Sequence, residues 1–326
     1  MAFDRRTFLA TCIAACVGPP ALAQTSFNFG AAAAYSAERR GVSLLVMQGG
    51  RVVFEDYPNG GGADRGWELA SGTKSFTGVM AAAAVQDRLL DWDEFAADAL
   101  REWRGDERRA ITIRHLLSLT SGIEGGPIAR PPSYADAIAQ RAMAPPGERF
   151  AYGPTPFQIF GEIMRRKTNG DPLDYLHRRV LDPMGINPTH WRRGSDGMPH
   201  LPSGAGLTAR DWARFGEFLR NKGAVNGAQL VPSAWIEFMT TANPRNPGYG
   251  AQTWLNRAQP GEDERPFPGA PRSAFSMNGH LGQFVLVVPD RELTIVRLGK
   301  TLDGEHRPVR TAMGRIAALY SAREGK

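Results

Sequence analysis

The chain has 326 residues, enough for one large domain or two smaller ones with a substantial hydrophobic core. Hydrophobic residues make up 42% and charged residues 22% of the sequence, as in ordinary globular proteins. The net charge is +6, but the arginines and lysines are scattered as single or paired residues, which argues against a nucleic-acid-binding surface.

The first 23 residues have the pattern of an export signal. Arg5 and Arg6 precede an apolar run that ends at Val17, and an Ala-Leu-Ala cleavage motif closes the segment at Ala23. The arginine pair resembles the twin-arginine class of signals. Because the apolar run is too short to span a membrane, we expect a periplasmic or secreted mature protein of residues 24–326.

Both cysteines, Cys12 and Cys16, lie within this export segment. Cleavage after Ala23 would leave no cysteine, which excludes disulfides, a cysteine nucleophile and thiolate metal sites. A second interpretation is cleavage at a lipoprotein-like box, which would make Cys16 a lipid anchor. The six histidines are dispersed and no His-Glu-x-x-His motif is present, so we expect neither a metal nor a cofactor.

The N-terminal part of the mature chain has two short apolar runs joined at Gly49-Gly50, which is typical of a strand hairpin. The sequence predicts a loose leader over residues 24–34, a short helix over 35–40, two strands over 42–47 and 51–57 that form a hairpin, and a glycine-rich loop over 59–66.

Ser71 follows this loop and is the only serine in the chain with a lysine three residues later. If Ser71 opens a helix, this spacing places the Lys74 amine on the same face, within reach of the hydroxyl. A lysine with a lowered pKa can take the serine proton, and the N–H groups of a first helical turn point at whatever the serine attacks. The alternative is a plain helix start with an exposed lysine.

The middle of the chain has helical patterns and little strand pattern. The sequence predicts helices over residues 76–90, 112–118, 133–143, 157–167 and 172–181. Tyr152 lies in the loop before the fourth of these helices. A phenol among cationic groups can carry a proton between Ser71 and a leaving group, although a tyrosine here can equally be a packing residue.

The C-terminal part returns to a period of two. The sequence predicts strands over residues 249–255, 284–288 and 293–297 and a final helix over 307–322. A glycine-rich segment precedes the second strand, and glycines allow a substrate to approach the backbone closely. The N–H group of Gln283 could there pair with that of Ser71 to hold an oxyanion. The alternative is a plain glycine turn with His280 exposed.

The order of strands, helices, strands and helix predicts a mixed α/β (α+β) fold. An antiparallel sheet built from both ends of the chain would be flanked by the terminal helices, with an inserted all-helical lobe. We expect one catalytic domain over residues 24–326, with a sheet lobe at about 35–75 and 235–326 and a helical lobe at about 76–230. Ser71 would then lie at the cleft between the lobes.

Ser71-x-x-Lys74, then Tyr152, then His280-Leu281-Gly282 resemble, in this order, the motifs of the penicillin-recognising serine hydrolases. These include class C β-lactamases, D-alanyl-D-alanine carboxypeptidases, family VIII esterases and 6-aminohexanoate-dimer hydrolases. The resemblance runs through nearly the whole mature chain and implies a β-lactamase/transpeptidase-like fold.

By this resemblance Ser71 is the nucleophile that becomes acylated, and Lys74 and Tyr152 share the general acid/base work. The backbone N–H groups of Ser71 and Gln283 form the oxyanion hole. His280, Leu281 and Gly282 bind the substrate, with His280 in the place of the family's Lys-Thr-Gly lysine, where a cation or donor can meet a carboxylate.

Two departures from the family motifs bear on the substrate. Pro154 stands where the lactamases and peptidases carry an asparagine, and Leu281 stands in place of a threonine. Both losses argue against efficient β-lactam hydrolysis and favour an esterase or small-amide hydrolase acting on a small molecule. Carboxypeptidase and β-lactamase activity, and a non-catalytic protein that binds a cell-wall fragment, are the alternatives. A monomer is the default expectation.

Overall fold

The computed structural model describes residues 28–320. The predicted export signal, its two cysteines and the end of the predicted final helix therefore lie outside the described residues. In the described part, no helix combines the length and the apolar character needed to cross a membrane.

The helices are distributed along the whole described chain. They are α1 (Phe29–Glu38), α2 (Lys74–Gln86), α3 (Ala96–Ala99), α4 (Ile113–Leu117), α5 (Tyr134–Ala139), α6 (Thr155–Thr168), α7 (Pro172–Leu176), α8 (Asp182–Met184), α9 (Ala209–Arg220), α10 (Ser233–Thr240) and α11 (His306–Ala318). A π-helical turn, His177–Leu181, joins α7 to α8.

The strands form one large sheet and two small ones. They are β1 (Gly41–Gln48), β2 (Arg51–Asp56), β3 (Trp67–Glu68), β4 (His190–Trp191), β5 (Ala205–Leu207), β6 (Ala224–Val225), β7 (Ala228–Gln229), β8 (Trp254–Leu255), β9 (Phe275–Gly279), β10 (Gln283–Val288) and β11 (Leu293–Gly299). The large sheet has the order β2-β1-β11-β10-β9-β8, and its neighbouring strands are antiparallel. The small sheets are β3-β5-β4 and β6-β7.

The large sheet joins strands from both ends of the chain, because β1 pairs along its length with β11. The predicted fold class, an antiparallel sheet with helices in an α+β arrangement, is confirmed. One face of the sheet packs against the terminal helices α1 and α11, as expected. A fully buried aliphatic side chain contributes about 1.5–3 kcal/mol relative to an exposed one, so this layer stabilises the central strands.

The opposite face of the sheet is covered by α9, which lies within the segment predicted to be the helical lobe. A Cβ atom at Gly216 would lie 2.7 Å from the Thr294 Cγ2 atom, so the glycine allows α9 to approach β11 closely. Thr208 caps this helix, since its hydroxyl accepts a hydrogen bond from the Asp211 N–H.

Several elements differ from the sequence-based expectation. Helices α9 and α10 were not predicted, and the strand predicted over residues 249–255 is limited to Trp254–Leu255. The first helix begins at Phe29 instead of residue 35, because the Asn28 side chain caps it by accepting the Ala31 N–H at 2.9 Å. Strand β9 was not predicted, since Phe275–Gly279 has no β-branched residue. It becomes a strand because it pairs with β8 on one side and β10 on the other, so tertiary pairing overrides local propensity.

Candidate active site

Ser71 lies between the large sheet and helix α2. It belongs to a 3₁₀ turn, Ala70–Thr73, that runs directly into α2. Ala70 has a φ of +46°, an uncommon conformation for a residue other than glycine. The Ser71 Oγ atom accepts a hydrogen bond from the Lys74 Nζ atom at 3.0 Å, and the same amine donates to the Pro202 carbonyl oxygen at 3.1 Å.

Lys74 is 3% exposed, so its amine is almost completely removed from water. Burial lowers the pKa of Lys74 to about 7 because desolvation disfavours the ammonium form. A substantial fraction of the amine is therefore neutral at neutral pH, and a neutral amine can accept the proton of a serine hydroxyl. The alternative of an exposed lysine in the first helical turn is excluded by this burial.

The Tyr152 side chain lies beside the serine and the lysine. The Lys74 Nζ atom is 4.9 Å from the centre of the Tyr152 ring, and the Ser71 hydroxyl is close enough to the phenol to lower its pKa. Burial is the main cause that raises the pKa of Tyr152, while hydrogen bonds with Ser71 and the Trp254 indole act in the opposite direction. The structure thus brings the three predicted motif residues together.

Aromatic packing holds the Tyr152 ring. Its centre is 5.3 Å from that of Trp254 and 6.0 Å from that of Tyr249, which is itself buried. The sequence placed both of these residues in a C-terminal strand and gave no signal that they would contact Tyr152. Because the contacts join distant parts of the chain, only the fold reveals them.

The loop that carries Tyr152 is packed backbone against backbone. A Cβ atom at Gly153 would lie 2.2 Å from the Gly125 carbonyl oxygen, and a Cβ at Gly125 would lie 2.3 Å from that of Tyr152. The Ala151 N–H also donates to the Leu119 carbonyl at 2.9 Å. These contacts fix the loop without leaving space for larger residues.

The predicted substrate-binding segment forms the turn between β9 and β10. Leu281 and Gly282 have φ values of +61° and +80°. The Gln283 side chain closes the turn by donating to the Gly299 carbonyl at 2.7 Å and accepting the Gly299 N–H at 3.0 Å. Across the sheet register Gln283 lies opposite Gly279. The pairing of the Gln283 and Ser71 N–H groups around an oxyanion stays a prediction.

A cleft of about 570 Å³ opens above Ser71. Of the predicted site residues, Ser71, His280, Leu281 and Gln283 line this cleft. Lys74 and Gly282 are buried behind its surface. The His280 side chain is exposed and borders the space where a substrate would lie.

The cleft also has charged and aromatic residues that sequence analysis missed, namely Trp67, Glu68, His190, Arg192 and Lys300. The Glu68 carboxylate lies 3.6 Å from the Arg192 Nε atom and 3.8 Å from the His190 Nε2 atom. These side chains are about half exposed, so the two contacts contribute little to stability. The Lys300 Nζ atom lies 5.3 Å from the centre of the Trp67 ring. We call these five residues the charged wall of the cleft. No sequence motif predicts it, because β3 and β4 come together only when both pair with β5.

Within residues 28–320, no group of three or more histidine, cysteine, aspartate or glutamate side chains is arranged to hold a metal ion.

A family model for beta-lactamases matches residues 26–319 of the chain. The chain belongs to the beta-lactamase family. This match confirms the predicted membership of a serine hydrolase family.

Curated relatives of the chain are distant. An uncharacterized protein of Alkalihalophilus pseudofirmus is 24% identical over 291 residues, which is 79% of this chain and 83% of that protein. The protein flp of Staphylococcus aureus is 22% identical over 49% of this chain, and the match spans only 36% of flp.

Solved structures share the fold at low sequence identity. One, described as a 6-aminohexanoate-dimer hydrolase from Bacillus anthracis, has a TM-score of 0.73 and 22% identity, covering 86% of this chain and 80% of that one. A family VIII carboxylesterase has a TM-score of 0.69 and 18% identity, covering 87% and 94%. At these identities the similarity supports the fold, which agrees with the predicted β-lactamase/transpeptidase-like architecture.

Proposed function

We propose that this protein is a serine hydrolase that cleaves an ester or small amide through an acyl-enzyme on Ser71. The observation that carries this proposal is the buried Lys74 amine, with a pKa of about 7, donating to the Ser71 hydroxyl at 3.0 Å. A structural lysine would be more stable with its ammonium in water or paired with a carboxylate. A general base, in contrast, works best with a pKa near the operating pH.

In the first half-reaction the Ser71 oxygen attacks the substrate carbonyl carbon, and Lys74 accepts the hydroxyl proton. The carbonyl π-bond opens to give a tetrahedral oxyanion, which the N–H groups of Ser71 and Gln283 stabilise. The bond to the leaving group then breaks, and the leaving group takes up a proton through Tyr152 or Lys74. Ser71 is left esterified by the acyl group.

In the second half-reaction water attacks the acyl carbon of the ester on Ser71. The same amine and phenol accept the proton of the water molecule and return one proton to the Ser71 oxygen. The acid product leaves, and the free hydroxyl is restored. The position of the Tyr152 phenol beside both Ser71 and Lys74 supports this sharing of protons.

An ester or small amide is favoured as substrate over a β-lactam. Pro154 and Leu281 offer no side-chain donor where the β-lactam-binding motifs carry an amide and a hydroxyl. The fold neighbours described as a carboxylesterase and as a 6-aminohexanoate-dimer hydrolase agree with this choice. We also propose that the protein acts outside the cytoplasm after removal of residues 1–23, on the strength of the twin-arginine-like signal.

A fluorophosphonate probe tests the nucleophile directly. Intact mass of residues 24–326 should increase by one adduct on the wild type and on Ser203→Ala, a control serine that lines the same cleft. Ser71→Ala should gain none. Labelling of Ser71→Ala, or no labelling of the folded wild type, would reject the proposal.

Substrate class is tested with a chromogenic ester, a small anilide, a D-Ala-D-Ala peptide and a cephalosporin. We expect the ester to be cleaved fastest. A dominant rate on the peptide or the cephalosporin would instead favour the carboxypeptidase or the β-lactamase. A protein that binds a cell-wall fragment but forms no acyl-enzyme would support the non-catalytic alternative.

A further inference from the structure

Arg297, on strand β11, is a fully buried arginine that the proposed chemistry does not use. Its exposed fraction is 0%, and no carboxylate among residues 28–320 forms an ion pair with its guanidinium. Burial lowers the pKa of Arg297 to about 10, so the side chain is still charged at neutral pH. A buried charge without a counter-ion is costly and calls for a compensating role or environment.

The guanidinium donates three hydrogen bonds that join two parts of the chain. Its Nη1 atom donates to the Gly282 carbonyl at 2.7 Å, in the turn that borders the cleft. On the other side, its Nη2 and Nε atoms donate to the Arg39 carbonyl at 2.8 Å and to the Ser36 hydroxyl at 3.3 Å. Arg39 is the C-cap of α1, where the negative end of the helix dipole favours a cation.

The acceptor in the turn belongs to the peptide group that joins Gly282 to Gln283. In a trans peptide the C=O and N–H bonds point in opposite directions, so a donor fixed on the carbonyl also fixes the direction of the Gln283 N–H. A charged donor on the carbonyl polarises the peptide group and makes that N–H a stronger donor. This N–H is the one proposed to stabilise the oxyanion.

The turn needs such support because its backbone is unusual. Leu281 has a φ of +61°, a conformation that persists only where the surroundings hold it. The Thr301 N–H donates to the Leu281 carbonyl at 2.9 Å, next to the bond from Arg297. A Cβ atom at Gly282 would lie 2.5 Å from the Arg297 Nη1 atom, so the guanidinium fits only against a glycine.

We infer that Arg297 is a positioning residue that holds the His280–Gly282 turn and aims the Gln283 N–H at the reacting carbonyl. This inference rests on the proposed function. It predicts that loss of the guanidinium affects the transition state more than substrate binding, so kcat falls more than KM rises.

The test compares Arg297→Met and Arg297→Lys with Ser36→Ala. Ser36→Ala removes a hydrogen bond of the same guanidinium but leaves its bond to the turn intact. Each folded variant is assayed well below its Tm for kcat and KM on an ester. Hydrogen exchange of the peptide that spans residues 279–284 is measured alongside, because it reports on the turn without requiring activity.

For Arg297→Met we expect a loss in kcat of about 10- to 100-fold and faster exchange in the turn. Arg297→Lys, which keeps a cation in the same place, should recover part of the rate. Ser36→Ala should lower the Tm while leaving kcat within about twofold of the wild type.

The inference is overturned if a folded Arg297→Met or Arg297→Lys keeps the wild-type kcat and turn protection, whatever its Tm. If Arg297→Met does not fold, Arg297→Lys decides by the same two measurements. If the wild type forms no acyl-enzyme, the proposed function fails. If hydrogen exchange in the turn is the same in the Arg297 variants as in the wild type, the role of Arg297 is rejected independently of activity.

Discussion

The Nζ atom of Lys74 lies 3.0 Å from the Oγ atom of Ser71, and only 3% of the surface of Lys74 is exposed to solvent. The two residues are one helical turn apart at the point where a 3₁₀ turn enters α2. Desolvation by burial lowers the pKa of this lysine. Burial therefore gives the Lys74 amine a pKa close to neutral pH, where it can act as a base.

The pH dependence of the rate should follow Lys74. Its pKa of about 7 is well below the 10.5 that is usual for a lysine, and below pH 7 the amine is increasingly protonated and unable to act as a base. We expect kcat/KM on a neutral ester to rise about tenfold per pH unit up to pH 6 and to level off above pH 8. A profile that is flat from pH 5 to 9 would contradict the role of Lys74 as base.

The same lysine should destabilise the folded protein. Between pH 10.5 and 7 the unfolded chain binds a proton at this lysine that the folded chain does not, so stability falls as the pH decreases through this range and is constant below it. Lys74→Met should therefore abolish hydrolysis and raise the Tm at pH 7, with a difference that shrinks towards pH 10. A lower Tm for the variant at pH 7 would argue that the two hydrogen bonds of the amine outweigh its desolvation.

Tyr152→Phe should lower kcat by about 10²- to 10⁴-fold, the range of general acid–base catalysis. The ring keeps its contacts with Tyr249 and Trp254, but the variant loses the interactions of the buried hydroxyl with Ser71 and Trp254, so the Tm should fall modestly. Steady-state kinetics and thermal unfolding of the same preparation check both statements. A rate within threefold of the wild type would reduce Tyr152 to a packing residue.

Gly279→Ala tests the contact between the end of β9 and the segment before Ser71. A Cβ atom at this position would lie 2.0 Å from the Leu69 carbonyl oxygen, so one of the two segments must move. We expect a loss of about 1–3 kcal/mol in the free energy of unfolding and at least a tenfold loss in kcat/KM. Gly105→Ala, where a Cβ meets nothing within 4 Å, is the matched control and should be neutral.

Leu281→Thr would restore the hydroxyl of the family's Lys-Thr-Gly motif, but the position has a φ of +61°. A β-branched residue is strained in this conformation, whereas asparagine tolerates it. Leu281→Thr should therefore lower the Tm and gain no cephalosporin hydrolysis, and Leu281→Asn should be at least as stable as the wild type. Thermal unfolding and a cephalosporin assay of both variants test these expectations. Efficient cephalosporin turnover by Leu281→Thr would show that the turn accepts a β-branched residue without loss of function.

Much of the architecture could be predicted because local patterns agree with the final structure. The hairpin of β1 and β2, the last two strands and helices such as α6 carry clear periodicity. Strand β9 could not be predicted because Phe275–Gly279 is a strand only through its neighbours. Helix α1 begins earlier than predicted because the Asn28 cap sets its start, and the small residues that follow carry no apolar period. The covering of one sheet face by α9 also depends on a contact between segments far apart in the sequence.

By itself, the sequence determined the spacing of Ser71 and Lys74, the order of the three motifs and the loss of the two β-lactam-binding side chains, because these follow from residue identity alone. Tertiary structure decided whether Lys74 is a base or a surface cation, because desolvation depends on what the fold packs around the amine. It also decided the charged wall of the cleft and the bond from Arg297 to Gly282, since both join residues whose positions along the chain carry no common pattern.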